Sequence, residues 1–413
     1  MRKSTVTIAA LGVAAACVLS ACSSSGGTKS NTSGSSQPGS SSNSSAGNTA
    51  SGQAKGACSL SNPPQSNAKA PAAAVTGKAS GKVGVILPDT TSSTRYTLYD
   101  APLLQKNLSA AGLTPIIQNA QGSTATYQQD AQSMIGQGIK VLIMDSIDQT
   151  SGAAVEKMAV QAGVKVIDYD RVNLGGSAQY YVSFDNEDVG KLQAQTLVEC
   201  LQADGVQNPK IIMMDGGTDV DNNAVLFKKG AHEVLDPLQS QGKLKIINEG
   251  VVKGWDVNQA APTFQPMLTS AGGQVDGVLA ANDDIANAVV GVLQQQGLAG
   301  HVVLTGQDSG VEGLQNIIKG NQSMTIFKNV KLEANAAAQL AIALIAGKDP
   351  SAVGLTLAKF DDPKAPSHNL QALLLPAEVI TQHNVGDVVK AGALTAAQIC
   401  QGVESACSTL GIK

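Results

Sequence analysis

The sequence predicts an α/β protein with two doubly wound parallel-sheet lobes joined by a three-segment hinge. From Gly81 onward, short apolar runs alternate with amphipathic stretches of helical period. The same rhythm restarts after the run Tyr180–Phe184, and a polar residue follows the end of most runs. Apolar strands that alternate with helices are typical of buried parallel sheets with right-handed crossovers.

Length and composition limit the class of protein. The chain has 413 residues, 43% of them hydrophobic, and a formal net charge of −4. This length favours two domains, at about 150 residues for each. A weakly acidic chain is not expected to bind nucleic acid, because phosphate recognition needs a basic patch. Only 3% of the residues are aromatic, so an aromatic residue at the end of a strand is informative.

The first 21 residues are predicted to be a signal peptide. Arg2 and Lys3 precede an apolar segment, Ile8 to Leu19, which is too short to span a membrane at about 20 residues. The segment ends in Leu-Ser-Ala-Cys at residues 19–22 and resembles the lipobox of bacterial lipoproteins. That resemblance implies cleavage before Cys22 and lipidation of its thiol. The alternative is an ordinary cleaved signal peptide with an incidental cysteine.

Residues 22–56 are predicted to be a lipidated cysteine followed by a Ser/Gly-rich tether, since such a segment cannot bury a core. Four further cysteines follow at positions 58, 200, 400 and 407. An even number in an exported chain favours disulfides over free thiols. Cys400 and Cys407 are close enough in sequence to pair locally, which would leave Cys58 for Cys200. Buried free thiols are the alternative.

The predicted elements divide between the lobes. First-lobe strands are expected at Val83–Leu87, Pro115–Gln118, Val141–Met144 and Val164–Asp168, with helices beginning near Tyr99, Thr126 and Gly152. Second-lobe strands are expected at Ile211–Met214, Leu244–Asn248, Val275–Ala280 and Val302–Thr305, and helices at Asn222–Leu235, Val257–Ser270 and Asp284–Gln296. Helix Leu332–Ile345 and a short terminal helix around Leu394–Leu410 follow.

Three extended runs are interpreted as crossings between the lobes: Tyr180–Phe184, Met324–Lys328 and Leu370–Leu375. The first lacks a preceding helix, as expected where a chain leaves one sheet for another. The predicted N-terminal lobe therefore comprises residues 57–184 and 329–360, and the C-terminal lobe residues 185–328 and 361–413. The stretch from Val164 to Gly190 would then lie where the lobes meet.

Sequence motifs of enzymes are absent. The chain contains neither a P-loop nor a Gly-x-Ser-x-Gly elbow, and its four histidines are scattered. The segment that starts at Asp219 imitates a calcium loop but has Ala224 where the loop needs glycine. We therefore expect no catalytic residues, no metal and no cofactor.

Polar residues at the strand ends indicate a binding site instead. A single one is most often a helix cap, but here they recur in both halves: Asp89, Asp145, Asp170, Arg171, Asp215, Asn282, Asp283, Gln307, Asp308 and Lys328. In open α/β sheets, ligands bind at the carboxyl ends of the strands. Mixed donors and acceptors suit a polyhydroxylated ligand. Tyr96 and Trp255 occupy corresponding strand-to-helix loops and offer aromatic faces for the C–H surface of a sugar.

The chain resembles the ribose-type periplasmic binding proteins of sugar ABC importers, in particular the D-xylose-binding members. The resemblance covers most of the chain from Gly81 to about Ile345. Its most specific runs are Tyr169-Asp170-Arg171, Ser183-Phe184-Asp185-Asn186-Glu187, Asp221-Asn222-Asn223-Ala224, Ala281-Asn282-Asp283, Gly306-Gln307-Asp308 and Met324-Thr325-Ile326-Phe327-Lys328.

The resemblance implies the type I periplasmic binding protein fold, with a pyranose enclosed between the lobes. It implies that hydrogen bonds to the sugar come from seven residues: Arg95, Arg171, Asp221, Asn223, Asn282, Asp308 and Lys328. Asp170, which directly precedes Arg171, is predicted to belong to the same binding site. Trp255 would stack on one face and Tyr96 on the other. The family has Trp at the position of Tyr96, and the loop that carries Arg95 is one residue longer here. The tail after Ala346 and the cysteines depart from the family pattern.

The sequence thus predicts a lipid-anchored, extracytoplasmic monomer that binds a monosaccharide, D-xylose being favoured, and delivers it to ABC permease subunits. An alternative is a sugar-sensing lipoprotein that signals to a membrane receptor; another is a binding protein for a different pentose or hexose. A third option, a glycoside-processing enzyme, would need a separated carboxylate pair, and we identify no such pair in the sequence. The signal peptide excludes a cytoplasmic repressor of the same fold.

Overall fold

The structure is a computed structural model that describes residues 55–58, 60–66, 68 and 75–413. The predicted signal peptide, Cys22 and nearly all of the predicted tether lie outside the described residues.

The strands, numbered in chain order, are β1 Lys82–Leu87, β2 Thr114–Asn119, β3 Val141–Met144, β4 Lys165–Tyr169, β5 Tyr180–Phe184, β6 Lys210–Asp215, β7 Lys245–Val251, β8 Gly277–Ala280, β9 Val303–Leu304, β10 Met324–Phe327, β11 Ala358–Lys359, β12 Gln371–Leu375 and β13 Glu378–Thr381.

The α-helices are α1 Ala101–Ala110, α2 Thr124–Gly136, α3 Gln149–Gln161, α4 Asn186–Ala203, α5 Asn222–Ser240, α6 Ala260–Ser270, α7 Asp283–Gln295, α8 Val311–Lys319, α9 Val330–Ile345, α10 Gly386–Lys390, α11 Ala396–Cys400 and α12 Glu404–Thr409. A π-helical turn, Tyr96–Asp100, leads into α1, and 3₁₀ turns span Lys253–Trp255, Val257–Gln259 and Pro350–Val353.

The first lobe is built on a seven-stranded sheet with the order β2-β1-β3-β4-β5-β12-β11. All neighbouring strands run parallel except β11, which pairs antiparallel with β12. Strands β1, β3 and β4 are buried along nearly their whole length, because helices cover the sheet. Helix α9 returns to this lobe and packs on β3, β4, β5 and β12.

The second lobe contains a parallel four-stranded sheet with the order β7-β6-β8-β9. A parallel bridge between Gln307 and Ile326 connects the end of β9 to the antiparallel pair β10-β13. Helix α4 packs on β8, β9, β10 and β13, and lies against α5. The predicted fold class, two α/β lobes with parallel sheets, is confirmed.

The predicted crossings need correction. Tyr180–Phe184 pairs in parallel with β4, so β5 belongs to the first sheet and the chain leaves this lobe only after Phe184. Met324–Phe327 pairs within the second lobe, and the chain returns to the first at Lys328. Gln371–Leu375 pairs with β5 in the first sheet, and the last crossing falls between Leu375 and Glu378. Residues 361–375 are therefore part of the first lobe.

The amino-terminal segment lies on the second lobe, where a first-lobe position was predicted from residue 57. Cys58 is buried in an apolar cluster with Leu197 and Leu235, and it forms a disulfide with Cys200 of α4. Gln65 bridges to Glu378 of β13. The second disulfide joins Cys400 and Cys407 within the terminal segment. These are the two pairs that the sequence analysis favoured.

The two disulfides close loops of very different length, with sequence separations of 142 and 7. In the chain-entropy description, the longer loop constrains the unfolded chain more, by roughly 2–3 kcal/mol. We expect the double variant Cys58→Ser/Cys200→Ser to lower the free energy of unfolding more than Cys400→Ser/Cys407→Ser does. Denaturant unfolding of both variants measures this, and peptide mapping without reductant identifies the pairs. Equal losses, or a bridge between Cys58 and Cys400, would contradict the prediction.

The connection from β4 to β5 carries no helix and is held by two buried carboxyl groups. Asp168 accepts hydrogen bonds from the backbone N–H of Asn173 at 2.9 Å and from its side chain. Glu156 of α3 accepts from the N–H groups of Ser177 and Ala178. Burial raises the pKa of Asp168, and the neighbouring Glu156 raises it further. Burial also raises the pKa of Glu156, against the hydrogen bonds from Ser177 and Ala178.

We expect Glu156→Gln to stabilise the protein increasingly as the pH rises. A carboxyl with a raised pKa in the folded state binds more protons there than in the unfolded chain. Its contribution to stability is complete below the unfolded pKa and is lost as the pH rises through the folded pKa. Glutamine keeps the acceptor oxygen without this dependence.

The difference in melting temperature between Glu156→Gln and the wild type should therefore grow from about pH 5 to pH 8. Glu312→Gln changes an exposed glutamate on α8 and serves as the control. A difference independent of pH would contradict the prediction.

Candidate functional site

The structure brings all ten predicted ligand-binding residues to one buried cleft between the lobes. The first lobe contributes Arg95, Tyr96, Asp170 and Arg171, and the crossing after β10 contributes Lys328. The second lobe contributes Asp221, Asn223, Trp255, Asn282 and Asp308. Parallel strands present their carboxyl ends at one edge of each sheet, which explains why residues so distant in sequence converge. The free volume of the cleft is about 20 Å³, which is room for about one water molecule.

Asp170 lies at the centre of the charged network. Its carboxylate is 3.0 Å from Nη1 of Arg95 and 3.8 Å from Nζ of Lys328. Burial acts to raise the pKa of Asp170, but the cations of Arg95, Lys328 and Arg171 outweigh it and hold the pKa below its usual value. Asp170 therefore remains an anion although it is buried. Its backbone adopts a left-handed conformation, with φ of 60°, which is uncommon for a residue other than glycine.

Arg95 is held mainly by other protein groups. Its Nε and Nη2 donate to Asp100 at 3.0 and 2.8 Å, and Nη2 also contacts Glu333 at the start of α9. Burial raises the pKa of Glu333 to about 8, against the effect of Arg95. With most of its donors used, Arg95 positions Asp170 and has little capacity left for a ligand. Neither Asp100 nor Glu333 was predicted from the sequence.

Arg171 links the two lobes. Nη1 donates to the carbonyl of Ser146 at 3.1 Å and Nη2 to Oγ of Ser92 at 3.2 Å. Its Nε is 3.5 Å from Oδ2 of Asp221 in the second lobe. Asp145 lies close by at 3.8 Å, and burial, supported by Asp170, raises the pKa of Asp145 well above its usual value against the effect of Arg171.

Lys328 connects the crossing to both lobes. Its Nζ is 3.4 Å from Oδ1 of Asp308, in addition to its contact with Asp170. Burial acts to lower the pKa of Lys328, but Asp308 and Asp170 more than compensate and raise it. The ammonium group also lies 5.6 Å from the ring centroid of Phe227.

Trp255 is 5% exposed, so it is part of the second-lobe core as well as of the cleft wall. Its Nε1 donates to Oδ2 of Asp221 at 3.0 Å, and Phe227 meets the indole edge-on. Gly216 and Gly217 pass directly against the ring, where a Cβ atom at either position would overlap it. The indole can therefore occupy this position only because these two residues lack side chains and their backbone approaches the ring closely.

Tyr96, at the start of the π-helical turn, is almost completely buried. Its hydroxyl is 3.4 Å from Asp170, and the guanidinium carbons of Arg95 and Arg171 lie 5.9 and 5.8 Å from its ring centroid. The ring therefore supports the cations. Stacking of a sugar between Tyr96 and Trp255 stays a prediction.

The second-lobe residues at helix starts serve two purposes. Asp221 caps α5 by accepting from the N–H of Asn223, and Asn282 caps α7 by accepting from the N–H of Ile285. Both also line the cleft. The side chain of Asn223 reaches across the lobes and donates to the carbonyl of Asp170 at 2.9 Å. Helix capping and ligand binding are therefore not alternatives for these residues.

Asp308 lies in a strained loop that a buried acid supports. Asp308 and Ser309 have φ values of 93° and 53°, in the left-handed region. Asp283 accepts from the N–H of Gly310 at 2.8 Å and from the hydroxyl of Thr325 at 3.1 Å. Burial raises the pKa of Asp283 to about 8. Asp283 thus positions the loop, while Asp308 faces the cleft.

Three residues of the cleft were missed in the sequence analysis, Ser92, Ser93 and Phe227, and a fourth, Gln307, was noted only as a polar residue at a strand end. Phe227 follows Asn223 by four residues on α5, so helical spacing alone places the two on one face. Gln307 stands beside Asp308 in a run already recognised. Ser92 and Ser93 belong to the loop that carries Arg95, and no feature of the sequence there predicts that they line a binding site.

Several polar atoms of the cleft have no hydrogen-bond partner within the described part of the chain. They are Nε of Arg171, Oε1 of Gln307 and Oδ1 of Asp308. Buried donors and acceptors are rarely left unpaired in proteins. The set includes both donors and acceptors, so it fits a ligand with several hydroxyl groups.

Residues 55–58, 60–66, 68 and 75–413 contain no cluster of three or more His, Cys, Asp or Glu side chains that could hold a metal ion. Within the same residues, no helix has both the length and the apolar character required to cross a membrane.

The fold and the cleft define a two-lobed protein that binds a ligand between its lobes. Comparison with known proteins agrees: residues 83–349 match the family model of the periplasmic binding protein domain. The chain belongs to this family. Its relatives include binding proteins and receptors rather than enzymes, so the prediction that the chain is not an enzyme is confirmed.

Two relatives illustrate the similarity. The D-xylose-binding periplasmic protein of Escherichia coli (strain K12) is 36% identical over 253 residues, which is 61% of this chain and 75% of that protein. The multiple sugar-binding periplasmic receptor ChvE of Rhizobium radiobacter is 34% identical over 283 residues, which is 65% of this chain and 79% of the receptor.

A solved structure is similar over nearly its whole length. The carbohydrate transporter solute binding protein of Chloroflexus aurantiacus, in complex with D-glucose, superposes with a TM-score of 0.70 at 31% identity. The alignment covers 77% of this chain and 98% of that one.

Proposed function

We propose that this protein is the extracytoplasmic monosaccharide-binding component of an ABC importer. The observation that carries the proposal is the set of buried donors and acceptors without a hydrogen bond, among the described residues, in a cleft whose walls come from both lobes. A sugar that satisfies them contacts both lobes at once and stabilises the closed arrangement by its differential affinity. The names of the relatives, D-xylose-binding and sugar-binding proteins, support a sugar as the ligand class.

Opening requires the three crossings to bend. They lie at Asp185, at Lys328–Asn329 and between Leu375 and Glu378. Since the cleft has a free volume of only about 20 Å³, a sugar can enter only when the lobes separate. Closure then exchanges the direct contacts between lobes, such as Arg171 with Asp221, for contacts through the ligand.

We favour D-xylose as the ligand, because the two relatives at 36% and 34% identity named for a single sugar are both D-xylose-binding proteins. D-glucose is the competing ligand, since the similar structure from Chloroflexus aurantiacus contains it. The two sugars differ by one hydroxymethyl group. We further propose a lipid anchor at Cys22, delivery of the sugar to permease subunits, and a monomeric state.

A second candidate function is sugar sensing through a membrane receptor. One relative at 34% identity is itself called a receptor, which favours keeping this function. The binding site would be the same, so the two functions differ only in the membrane partner.

A thermal-shift screen of monosaccharides on the purified protein tests the ligand class, followed by calorimetry on each hit. D-xylose is expected to raise the melting temperature most, with D-glucose, L-arabinose and xylitol as comparisons. If no monosaccharide raises it, the proposed ligand class is wrong. Co-purification with a permease or with a sensor kinase then separates transport from sensing.

A further inference from the structure

A second and larger cavity lies directly beside the polar cleft. Its volume is about 340 Å³ and its walls are mostly apolar. We call it the apolar chamber and define it by six lining residues: Leu98, Tyr99, Leu103, Val330, Val388 and Leu394. An engineered cavity of about 150 Å³ suffices to hold benzene, so the chamber has room for an aromatic ring and its substituents.

The chamber adjoins the polar cleft. Asp308 and Lys328 line both, so their side chains form the shared wall. A group attached to a sugar in the polar cleft would have to pass these two residues to enter the chamber, and their ion pair of 3.4 Å would have to part. The chamber also draws on both lobes and on the crossing at Lys328, just as the polar cleft does.

A buried hydroxyl marks the boundary between the two compartments. Ser309 is 2% exposed and lines the chamber, yet its Oγ has no hydrogen-bond partner within the described residues. Its neighbour Asp308 leaves Oδ1 without a hydrogen bond, although Nζ of Lys328 is 3.4 Å away. A hydroxyl and a carboxylate beside an apolar space suit a ligand that is polar at one end and apolar at the other.

One wall comes from a part of the chain outside the matched family domain, which ends at residue 349. Val388, Leu394 and Gln398 belong to the terminal segment, which packs on α8 and contains the Cys400–Cys407 disulfide. Tyr99 of the first lobe packs against the same cluster. The terminal segment thus supplies a fixed apolar surface that faces the first lobe.

We propose that the protein binds aryl glycosides of its sugar, with the sugar in the polar cleft and the aromatic group in the apolar chamber. The inference rests on the proposed sugar-binding function and extends its ligand class. The exposed rim of the chamber includes Lys106 and Lys331, so an uncharged or anionic aromatic group fits better than a cationic one.

Calorimetry on the full chain with two pairs of probes provides the test. The pairs are D-xylose with phenyl β-D-xyloside and D-glucose with phenyl β-D-glucoside. For the sugar that binds, the phenyl glycoside is expected to bind at least about tenfold more tightly, because its ring leaves water for an apolar cavity.

Leu98 allows a matched mutational control. It is 56% exposed and lines the chamber, whereas Val225 is 43% exposed on α5 and does not line it. Both substitutions, Leu98→Asp and Val225→Asp, change exposed positions, so the fold should tolerate them. Leu98→Asp is expected to reduce the gain from the phenyl group to less than about threefold and to leave the affinity for the free sugar unchanged. Val225→Asp is expected to change neither.

The outcomes separate this inference from the proposed function. If a free sugar binds and its phenyl glycoside does not, the chamber inference is wrong while sugar binding stands. A phenyl gain that survives Leu98→Asp would also overturn the inference, because the ring would then lie elsewhere. If neither sugars nor glycosides bind, both proposals fall.

Discussion

Replacing Arg171 by alanine is expected to lower the affinity for the best monosaccharide by roughly thirty- to a thousandfold. Arg171 faces Asp221 across the lobes, and its Nε has no hydrogen-bond partner within the described residues. A sugar hydroxyl can accept a hydrogen bond from this group. Without the guanidinium, the oxygens of Ser146 and Ser92 lose a donor as well. These losses correspond to about 2–4 kcal/mol of binding free energy.

Removal of one partner of a buried ion pair usually destabilises a protein strongly, but we expect Arg171→Ala to lower the stability of the ligand-free protein less than that. Burial raises the pKa of Asp145, the acid next to Arg171, so this carboxyl can stay neutral when the cation is absent. Arg171→Lys keeps a charge but not the planar set of donors, and an intermediate loss of affinity is expected. Calorimetry gives the affinities, and melting without ligand monitors the fold. Near-native affinity of Arg171→Ala would refute the proposed site.

Asp308→Ala tests the facing lobe. Asp308 contacts Ser93 of the first lobe at 3.4 Å and Lys328 at the crossing. A loss of affinity similar to that of Arg171→Ala is expected, because a polar ligand between the lobes needs both walls. The effects of the two substitutions should not add in the double variant, since either one already prevents productive closure.

The strands and the polar residues that follow them could be predicted from the sequence because both depend on local patterns. An apolar run such as Val141–Met144 is bounded in the structure as its residues indicate. Asp170 and Arg171 stand at the carboxyl end of a buried strand, so the fold class alone places them in the cleft.

The lobe boundaries could not be predicted in this way, because they depend on pairing between distant segments. Tyr180–Phe184 looks like a crossing since no helix precedes it, yet it pairs with Lys165–Tyr169 on one side and Gln371–Leu375 on the other. Two neighbouring parallel strands are usually connected by a helix. Because no helix connects β4 and β5, the sequence pattern wrongly indicated that they belong to different sheets. The position of residue 58 could have been predicted from the sequence, because the favoured disulfide with Cys200 already implied contact with the second lobe.

The charged network behind the cleft also escaped prediction. Glu333 lies in the first turn of α9 and looks like an ordinary residue near a helix start. Only the return of α9 to the first lobe brings it to Arg95. The sequence could identify residues that end strands, but not the residues that hold them in place.

Trp255→Ala is expected to abolish sugar binding and also to destabilise the ligand-free protein by about 3–5 kcal/mol. A residue that only stacks on the sugar would leave the ligand-free stability nearly unchanged, whereas a core residue would not. The structure combines the two roles, because the indole is 5% exposed and lines the cleft. Loss of stability therefore does not exclude a role in binding.

Trp255→Phe separates the two roles better. Phenylalanine keeps an aromatic surface against Gly216 and Gly217 but removes the donor to Asp221. If stacking dominates, the variant should retain binding with a loss of no more than roughly 10- to 150-fold, since one hydrogen bond to a charged group contributes about 1.5–3 kcal/mol. If the indole acts only by orienting Asp221, then Trp255→Phe should weaken binding as strongly as Asp221→Asn does. Affinities of these two variants, measured side by side, give the comparison.

Fluorescence of the wild-type protein provides an independent measurement, because Trp255 is the only tryptophan of the chain. A sugar that displaces water from the cleft changes the surroundings of the indole, and the hydrogen bond from Nε1 to Asp221 makes the ring sensitive to any shift of that carboxylate. The emission should therefore shift with the same sugar concentration dependence that calorimetry gives. Sugars that do not bind should leave it unchanged. An emission spectrum that stays constant while a sugar demonstrably binds would remove Trp255 from the site and leave it a residue of the second-lobe core.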